Sequence, residues 1–371
     1  MSQQTDTKMN VPDSVIGADL PAFYCPLDSA IHGNMEELER AAILWADSVG
    51  LYPNETERAW GIATHSADFS CRIAPCGRDE AVLLFIKWNL WAFALDDAHD
   101  MQGEDMSTTS RLVDLSAKVV RSLESPGCAY VNFGAQQAAF DDLIACTWSM
   151  LTPFQLRRFT EGLRDWLLGA VWQASCAERA IVPNLNEYLS IRPSINGTRF
   201  SLTFSEIANN INIDPDIHYS QPVQVITDIA GFIVSCDNDL FSYTKENNEI
   251  AANIIKIISY RNRCFPMEAM KEAVAIRDHA MILFIKLREQ LGKLSNPELD
   301  RYLESLEYYI SGSIRWMSMA PRYASPRNQH NLPVLDARYR IIYRDAPTTA
   351  STDPSSIPTI AYWQLVLEGF S

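Results

Sequence analysis

The stretch Ala81–Leu95 is apolar on nearly every side of a helical projection, Lys87 and Asn89 excepted, and runs straight into Asp96-Asp97-Ala98-His99-Asp100. A helix lying on a surface keeps one wet face, so a segment greasy all round belongs to a helix enclosed by other helices. The chain must therefore build a multi-helix body around this segment. It must also satisfy three carboxylates at the segment's end, because burying an unpaired carboxylate is costly.

The rest of the sequence fits an all-α, single-domain bundle. Glycine is scarce, 15 in 371 residues, while 19 prolines are dispersed; that suits helices separated by proline-marked breaks better than many tight β-turns. Prolines and capping residues predict helices at about 35–49, 79–101, 109–124, 135–150, 153–179, 185–192, 197–211, 221–248, 249–262, 266–293 and 296–319. Residues 1–20 are polar and read as a flexible segment, 21–325 as the helical domain, and 326–371 as an extension. In that extension Pro326, Pro333, Pro347, Pro354 and Pro358 are expected to break any helix.

Charge and cysteine usage narrow the function. With 46 acidic against 31 basic residues the chain carries −15, which repels phosphate backbones, so nucleic acid is not an expected partner. An anionic ligand would need help from metal. Cys25, Cys71, Cys76, Cys128, Cys146, Cys176, Cys236 and Cys264 form no Cys-x-x-Cys pair and read as free thiols. No export signal or membrane-length apolar run is evident, so a cytoplasmic location is expected.

Two oxygen-rich rows follow apolar helices. Asp96 and Asp100, four residues apart, share a helix face, where like charges repel unless a divalent cation lies between them. Magnesium suits such a pair, since it takes hard oxygen ligands and commonly bridges carboxylates to phosphates. The plainer alternative is a solvated acidic helix end. Asn238, Ser242 and Glu246 repeat at i, i+4 and i+8, just after the apolar run Ile229–Val234, and such a row can hold one octahedral metal. Lys245 beside it could reach a phosphate oxygen. Here the alternative is the polar face of an amphipathic helix.

Asp96-Asp-x-x-Asp100 followed by Asn238-Asp-x-x-Ser242-x-x-x-Glu246 resembles the paired metal motifs of class I terpene synthases, the all-helical cyclases of isoprenoid diphosphates. Arg192, forty-six residues before Asn238, matches the spacing of their diphosphate-sensing arginine, and Trp316 with Arg322-Tyr323 resembles their C-terminal arginine-tyrosine pair. The likeness spans roughly residues 60–325. It implies a class I terpenoid synthase bundle around a central apolar cavity. Asp96 and Asp100 would bind two of three magnesium ions, and Asn238, Ser242 and Glu246 the third. Arg192, Lys245, Arg322 and Tyr323 would donate to the diphosphate. Without that spacing, Arg192 reads as a helix-end charge and Arg322 as a surface ion-pair partner.

The family's helix break after the sensor arginine would place a linker residue at Ile195 and a carbonyl-donating effector at Asn196. Ile195 departs from the acidic or hydroxyl residue often found there. Pro193 and Gly197 make the break itself plausible. The mechanism implied is metal-assisted departure of diphosphate in a dry apolar chamber whose aromatic rings face the carbocation. Phe93, one turn below Asp96, together with Phe69 and Trp316, are candidate wall residues, core packing being the alternative for each; Trp88 and Trp91 read as core.

The substrate expected is farnesyl (C15) or geranylgeranyl (C20) diphosphate, the partner a small molecule with no membrane and a homodimer allowed for. The extension, with Arg338, Arg340 and Arg344 near Tyr339 and Tyr343, would order over the closed site. Competing readings are a chain-elongating prenyl diphosphate synthase and an HD-type metal phosphohydrolase using His65, His99-Asp100 and Asp165, which would leave Asn238, Ser242 and Glu246 unexplained.

Overall fold

The enclosed helix predicted from its apolar surface is α4, Asp79–Met101, the wall-to-wall axis of the structure. Phe85, Trp88 and Trp91 on it are wholly buried. Trp88 meets Phe159 edge-on at 5.2 Å, Phe85 stacks on Phe204 at 4.5 Å, and the Trp88 indole N–H donates to the Thr147 hydroxyl at 2.9 Å. A computed structural model describes residues 4–5, 20–101, 109–128, 133–243, 253–325, 331–348 and 353–370, with 4–5, 98–101 and 135 as backbone only.

Around α4 the helices follow in order: α1 Met35–Ser48, α2 Glu55–Ile62, α3 Ser66–Ile73, then α5 Thr109–Glu124, α6 Gln137–Met150, α7 Pro153–Glu178, α8 Leu185–Ile195, α9 Thr198–Ala208, α10 Pro215–His218, α11 Gln221–Ser242, α12 Ile254–Asn262, α13 Pro266–Gly292, α14 Pro297–Met319, α15 Pro321–Ala324 and α16 Pro358–Gly369. They form one helical domain with a continuous apolar core. Strands are vestigial: β1 Gln4–Thr5 pairs antiparallel with β3 Ala30–Ile31, and β2 Phe23–Tyr24 pairs parallel with β4 Tyr343–Arg344. Among the described residues no helix is long and apolar enough to cross a membrane.

Several expectations shift. The expected helix at 185–192 runs on to Ile195 with Pro193 inside it, because a proline so near the C-terminus forfeits little beyond one N–H bond. The break falls at Asn196, the C-cap, and Gly197, whose φ of +66° suits glycine. The helix expected at 221–248 ends at Ser242 within the described residues. The prolines beyond Ser325 do not break every helix: Pro358 opens α16, where the proline's missing N–H would have had no intrahelical partner anyway. Ile360 and Trp363 of α16, and Ala337 and Tyr339 before it, are buried in the common core.

Candidate active site

The C-terminal ends of α4 and α11 come together at one end of the bundle, joined through α15. Arg322 of α15 reaches α4: its Nη1 donates to Asp97 Oδ1 at 2.6 Å and its Nη2 to Asp96 Oδ2 at 3.0 Å. Asp97 is buried, whereas half of the Asp96 side chain is open to solvent. The neighbouring Tyr323 reaches the other bank, its hydroxyl accepting from Asn238 Nδ2 at 2.8 Å. Asn238 Oδ1 in turn accepts from Arg192 Nη2 at 2.8 Å. A continuous run of contacts therefore links Asp96, Arg322, Tyr323, Asn238 and Arg192.

Burial and neighbouring charge oppose each other on both banks. Desolvation acts against the Arg322 guanidinium, but the Asp97 and Asp96 carboxylates outweigh it and raise its pKa. On the other bank, burial pushes the Asp239 carboxyl up from its ordinary range. Arg192 Nε at 2.9 Å, the Tyr188 hydroxyl at 2.9 Å and the Ile254 N–H at 2.8 Å oppose that rise by donating to it. Those partners fix Arg192 against α11. The α8 capping box at Asn184 and Glu187 sets where that helix begins, and so where Arg192 sits.

Ser242, one turn beyond Asn238 on the same face, is buried and its Oγ has no hydrogen-bond partner among the described residues. A buried hydroxyl left unpaired costs about 1–3 kcal/mol, so this oxygen needs an occupant beside it. With the Asn238 amide oxygen and the half-open Asp96 carboxylate it makes a set of hard oxygen donors, the type a small divalent cation takes. The residues present fit a metal.

Behind the polar mouth the aromatic candidates meet. Trp316 touches Phe69 at 4.6 Å, Phe93 at 5.9 Å and Tyr323 at 5.4 Å between ring centroids, and Arg322 lies 4.8 Å over the Phe93 ring. The Trp316 indole N–H donates to the Thr64 carbonyl at 2.8 Å, which fixes the ring plane. Asn196 caps α8 at the break.

Of the expected site residues, the structure thus gathers Asp96, Asn238, Arg192, Arg322 and Tyr323 into one network, sets Ser242 beside it, and clusters Phe69, Phe93 and Trp316 together. Asp100 continues α4, but its side chain, like Lys245 and Glu246, lies outside the described residues. Asp97, Asp239 and Tyr188 went unassigned in the sequence reading. Asp97 and Asp239 adjoin motif residues, yet nothing local marks which arginine each meets. Asp165, named for the phosphohydrolase alternative, instead accepts from the Ser194 hydroxyl at 3.0 Å. Among the described residues no set of three or more His, Cys, Asp and Glu is gathered for a metal.

Comparison with known proteins agrees with this arrangement. Residues 87–281 match the family model described as terpene synthase family 2, C-terminal metal binding. Spiroviolene synthase of Streptomyces violens is 28% identical over 348 residues, covering 93% of this chain and 96% of its own length. The 4-epi-cubebol synthase of Streptosporangium roseum, described as cyclising (2E,6E)-farnesyl diphosphate, is 25% identical over 307 residues, covering 82% and 92%. The crystal structure of the SVS_A2 protein, from ancestral sequence reconstruction, superposes with a TM-score of 0.81 at 29% identity, covering 94% of this chain and all of that one. Since the family match takes in more than half of the chain and includes both oxygen-bearing helix ends, this protein belongs to terpene synthase family 2 and is a class I terpene synthase.

Proposed function

We propose that the enzyme is a magnesium-dependent cyclase of farnesyl or geranylgeranyl diphosphate, releasing diphosphate and closing the carbocation into a terpene hydrocarbon or alcohol. The observation that carries this reading is the run of contacts from Asp96 through Arg322, the adjoining Tyr323 and Asn238 to Arg192, which links two oxygen-bearing helix ends. In this reading Asp96 and Asp100 on α4, and Asn238, Ser242 and Glu246 on the other bank, hold three magnesium ions with the diphosphate. Those ions would supply the Lewis acidity that stabilises charge on the departing group.

The protein's own part is to exchange partners. Arg192, Arg322 and Tyr323 now satisfy Asn238, Asp239, Asp96 and Asp97. When the substrate diphosphate arrives, the Nη groups of Arg192 and Arg322 and the Tyr323 hydroxyl turn donors toward its oxygens, with Lys245 beside them. The Asp96 carboxylate and the Asn238 amide oxygen would then be free to hold the metals. Charge-assisted donors of this kind, preorganised in a site that excludes water, favour the leaving group over the intact ester.

Below the mouth Phe69, Phe93 and Trp316 offer ring faces to the carbocation, each well-placed ring contributing about 0.5–2 kcal/mol. Asn196, at the helix break, presents its carbonyl to the ionising end of the chain. The 4-epi-cubebol synthase relative, described as cyclising (2E,6E)-farnesyl diphosphate, supports the C15 length. Incubating the purified protein with C10, C15, C20 and C25 diphosphates plus magnesium, with product analysis by gas chromatography and mass spectrometry, tests the reading. Cyclic products from the C15 or C20 substrate are expected; magnesium-independent turnover, or, when isopentenyl diphosphate is supplied as well, only elongated prenyl diphosphates, would overturn it.

A further inference from the structure

Behind the metal end of α11 lies a second polar group that the proposed chemistry does not use. Asp237, the residue before Asn238, is wholly buried, as are Arg277 and Asp278 of α13. Arg277 grips Asp237 with two donors, Nε to Oδ1 at 2.8 Å and Nη2 to Oδ2 at 3.1 Å. Its Nη1 donates to the Tyr24 carbonyl of β2 and, at 3.3 Å, to Asp278 Oδ1. Asp278 Oδ2 also accepts from Arg344 Nη2 of β4 and from the Thr348 N–H, both at 2.8 Å. Four alternating charges, Asp237, Arg277, Asp278 and Arg344, thus run from the metal row to the C-terminal extension.

The surroundings tie the same pieces together. Phe23 of β2 stacks on Phe241 of α11 at 5.5 Å with ring planes 7° apart, and Arg277 lies 5.9 Å over the other ring of that stack, Phe23. Phe241 meets Tyr339 edge-on at 5.6 Å, and the Tyr339 hydroxyl donates to the Tyr323 carbonyl at 3.4 Å. The extension expected to order over a closed site is therefore already packed under the metal end of α11.

Two buried carboxylates sharing one guanidinium leave net negative charge in a dry interior, which is costly. Arg344 supplies the balancing charge. Without it, Asp278 competes with Asp237 for Arg277, and the guanidinium is drawn away from α11. Asp237 and Asn238 are consecutive, so a shift of one carries the amide oxygen of the other with it.

We propose that Arg277 is a positioning residue for the metal end of α11, acting through Asp237, and that Asp278 and Arg344 couple it to the C-terminal extension. The inference rests on the magnesium-diphosphate reading above. Outer partners of metal-binding groups commonly govern affinity about 10–100-fold when removed.

The test measures binding of inorganic diphosphate at fixed magnesium by titration calorimetry, in wild type, Arg344→Gln and Arg277→Lys, alongside the melting temperature of each metal-free protein. Arg344 is partly exposed, so Arg344→Gln is expected to fold. Its Kd for diphosphate should rise roughly threefold or more, and that of Arg277→Lys, whose point charge cannot grip two carboxylate oxygens, about tenfold. A purely structural role predicts a lower melting temperature with Kd unchanged in the folded protein, and that result in Arg344→Gln overturns the proposal even if Arg277→Lys fails to fold. Absence of binding by the wild type would instead remove the metal reading itself, and this inference with it.

Discussion

Gly169 on α7 faces the helix break, and replacing it with alanine should damage catalysis far more than stability. A Cβ built at Gly169 would lie 2.6 Å from the Ile195 backbone nitrogen and 2.8 Å from the Ser194 carbonyl carbon. Ordinary contact begins near 3.4 Å, so the backbone of 194–196 must retreat by about 0.8 Å. Overpacking of this kind costs about 1–3 kcal/mol, part of which the better helix propensity of alanine, roughly 1 kcal/mol, offsets. With an unfolding entropy of about 2.1 cal/mol/K per residue, the net cost of about 0–2 kcal/mol lowers the melting temperature of a chain of this size by no more than about 3 °C. The displaced segment, however, bears Arg192 on one side and Asn196 on the other. A misplacement near 1 Å costs on the order of 100-fold in a reaction that depends on alignment. Gly162→Ala is the control: its Cβ would press on the Phe200 nitrogen at 2.9 Å, a turn into α9 and away from the break. Diphosphate release from the C15 and C20 substrates, followed with the melting curves of both variants, separates the effects. The reasoning fails if Gly169→Ala retains wild-type kcat/KM, or if both variants lose activity equally.

Asp96→Ala and Asn238→Ala should each reduce diphosphate release by about 10²-fold or more while the protein stays folded by circular dichroism; full activity in both would remove the metal assignment. His218 is held neutral, its pKa pushed down to about 3 by burial and then by the Arg158 and Arg199 charges. Its Nε2 faces Arg158 Nη2 at 2.9 Å. Since the folded pKa lies below the unfolded value near 6.5, the unfolded state binds the extra proton, and this group's contribution is intact above about pH 6.5 and lost as pH falls toward 3. Urea unfolding of His218→Gln should accordingly lack about 2–3 kcal/mol of the wild type's stability loss between pH 6.5 and 4.5; parallel pH profiles would contradict it. Trp363→Ala on α16, which opens a cavity against Phe232 at 5.0 Å, should cost about 3–5 kcal/mol in the same assay; a loss under 1 kcal/mol would mean that α16 is not part of the cooperative core.

What the sequence made legible follows from the range over which each interaction acts. The extent of α4, its burial on all sides, and the shared face of Asn238 and Ser242 are set by helical periodicity within a few residues, and all three hold. Four short helices escaped, among them the four-residue Pro215–His218 and Pro321–Ala324. Glu55–Ile62 and Ser66–Ile73 are eight residues each, about two turns, too brief for periodicity to rise above the surrounding polar loop, although the Asn54 side chain that caps the first is a local signal. The misreading of the C-terminus had a different origin. Pro358 stands at the first position of α16 as Pro153 does in α7, and Ile360, Trp363 and Val366 repeat at a spacing that puts them on one buried face.

The partners of the charged residues were beyond reach for a deeper reason. Periodicity tells which way a side chain points from its own helix, not which of many helices it meets. Arg322 and Asp97 lie 225 residues apart, Arg277 and Asp237 40 apart, and nothing in either neighbourhood selects the other. Both pairs are nonetheless needed for the positions that the motifs imply, since a carboxylate at the end of a core helix cannot stay there uncompensated. In an acidic chain proposed to gather several metal-facing oxygens at one end of the bundle, the residues proposed to bind and the residues that make burial tolerable are therefore distinct sets. The first set follows the helix repeat; the second is determined by the packing of α4, α11, α13 and α15 against one another.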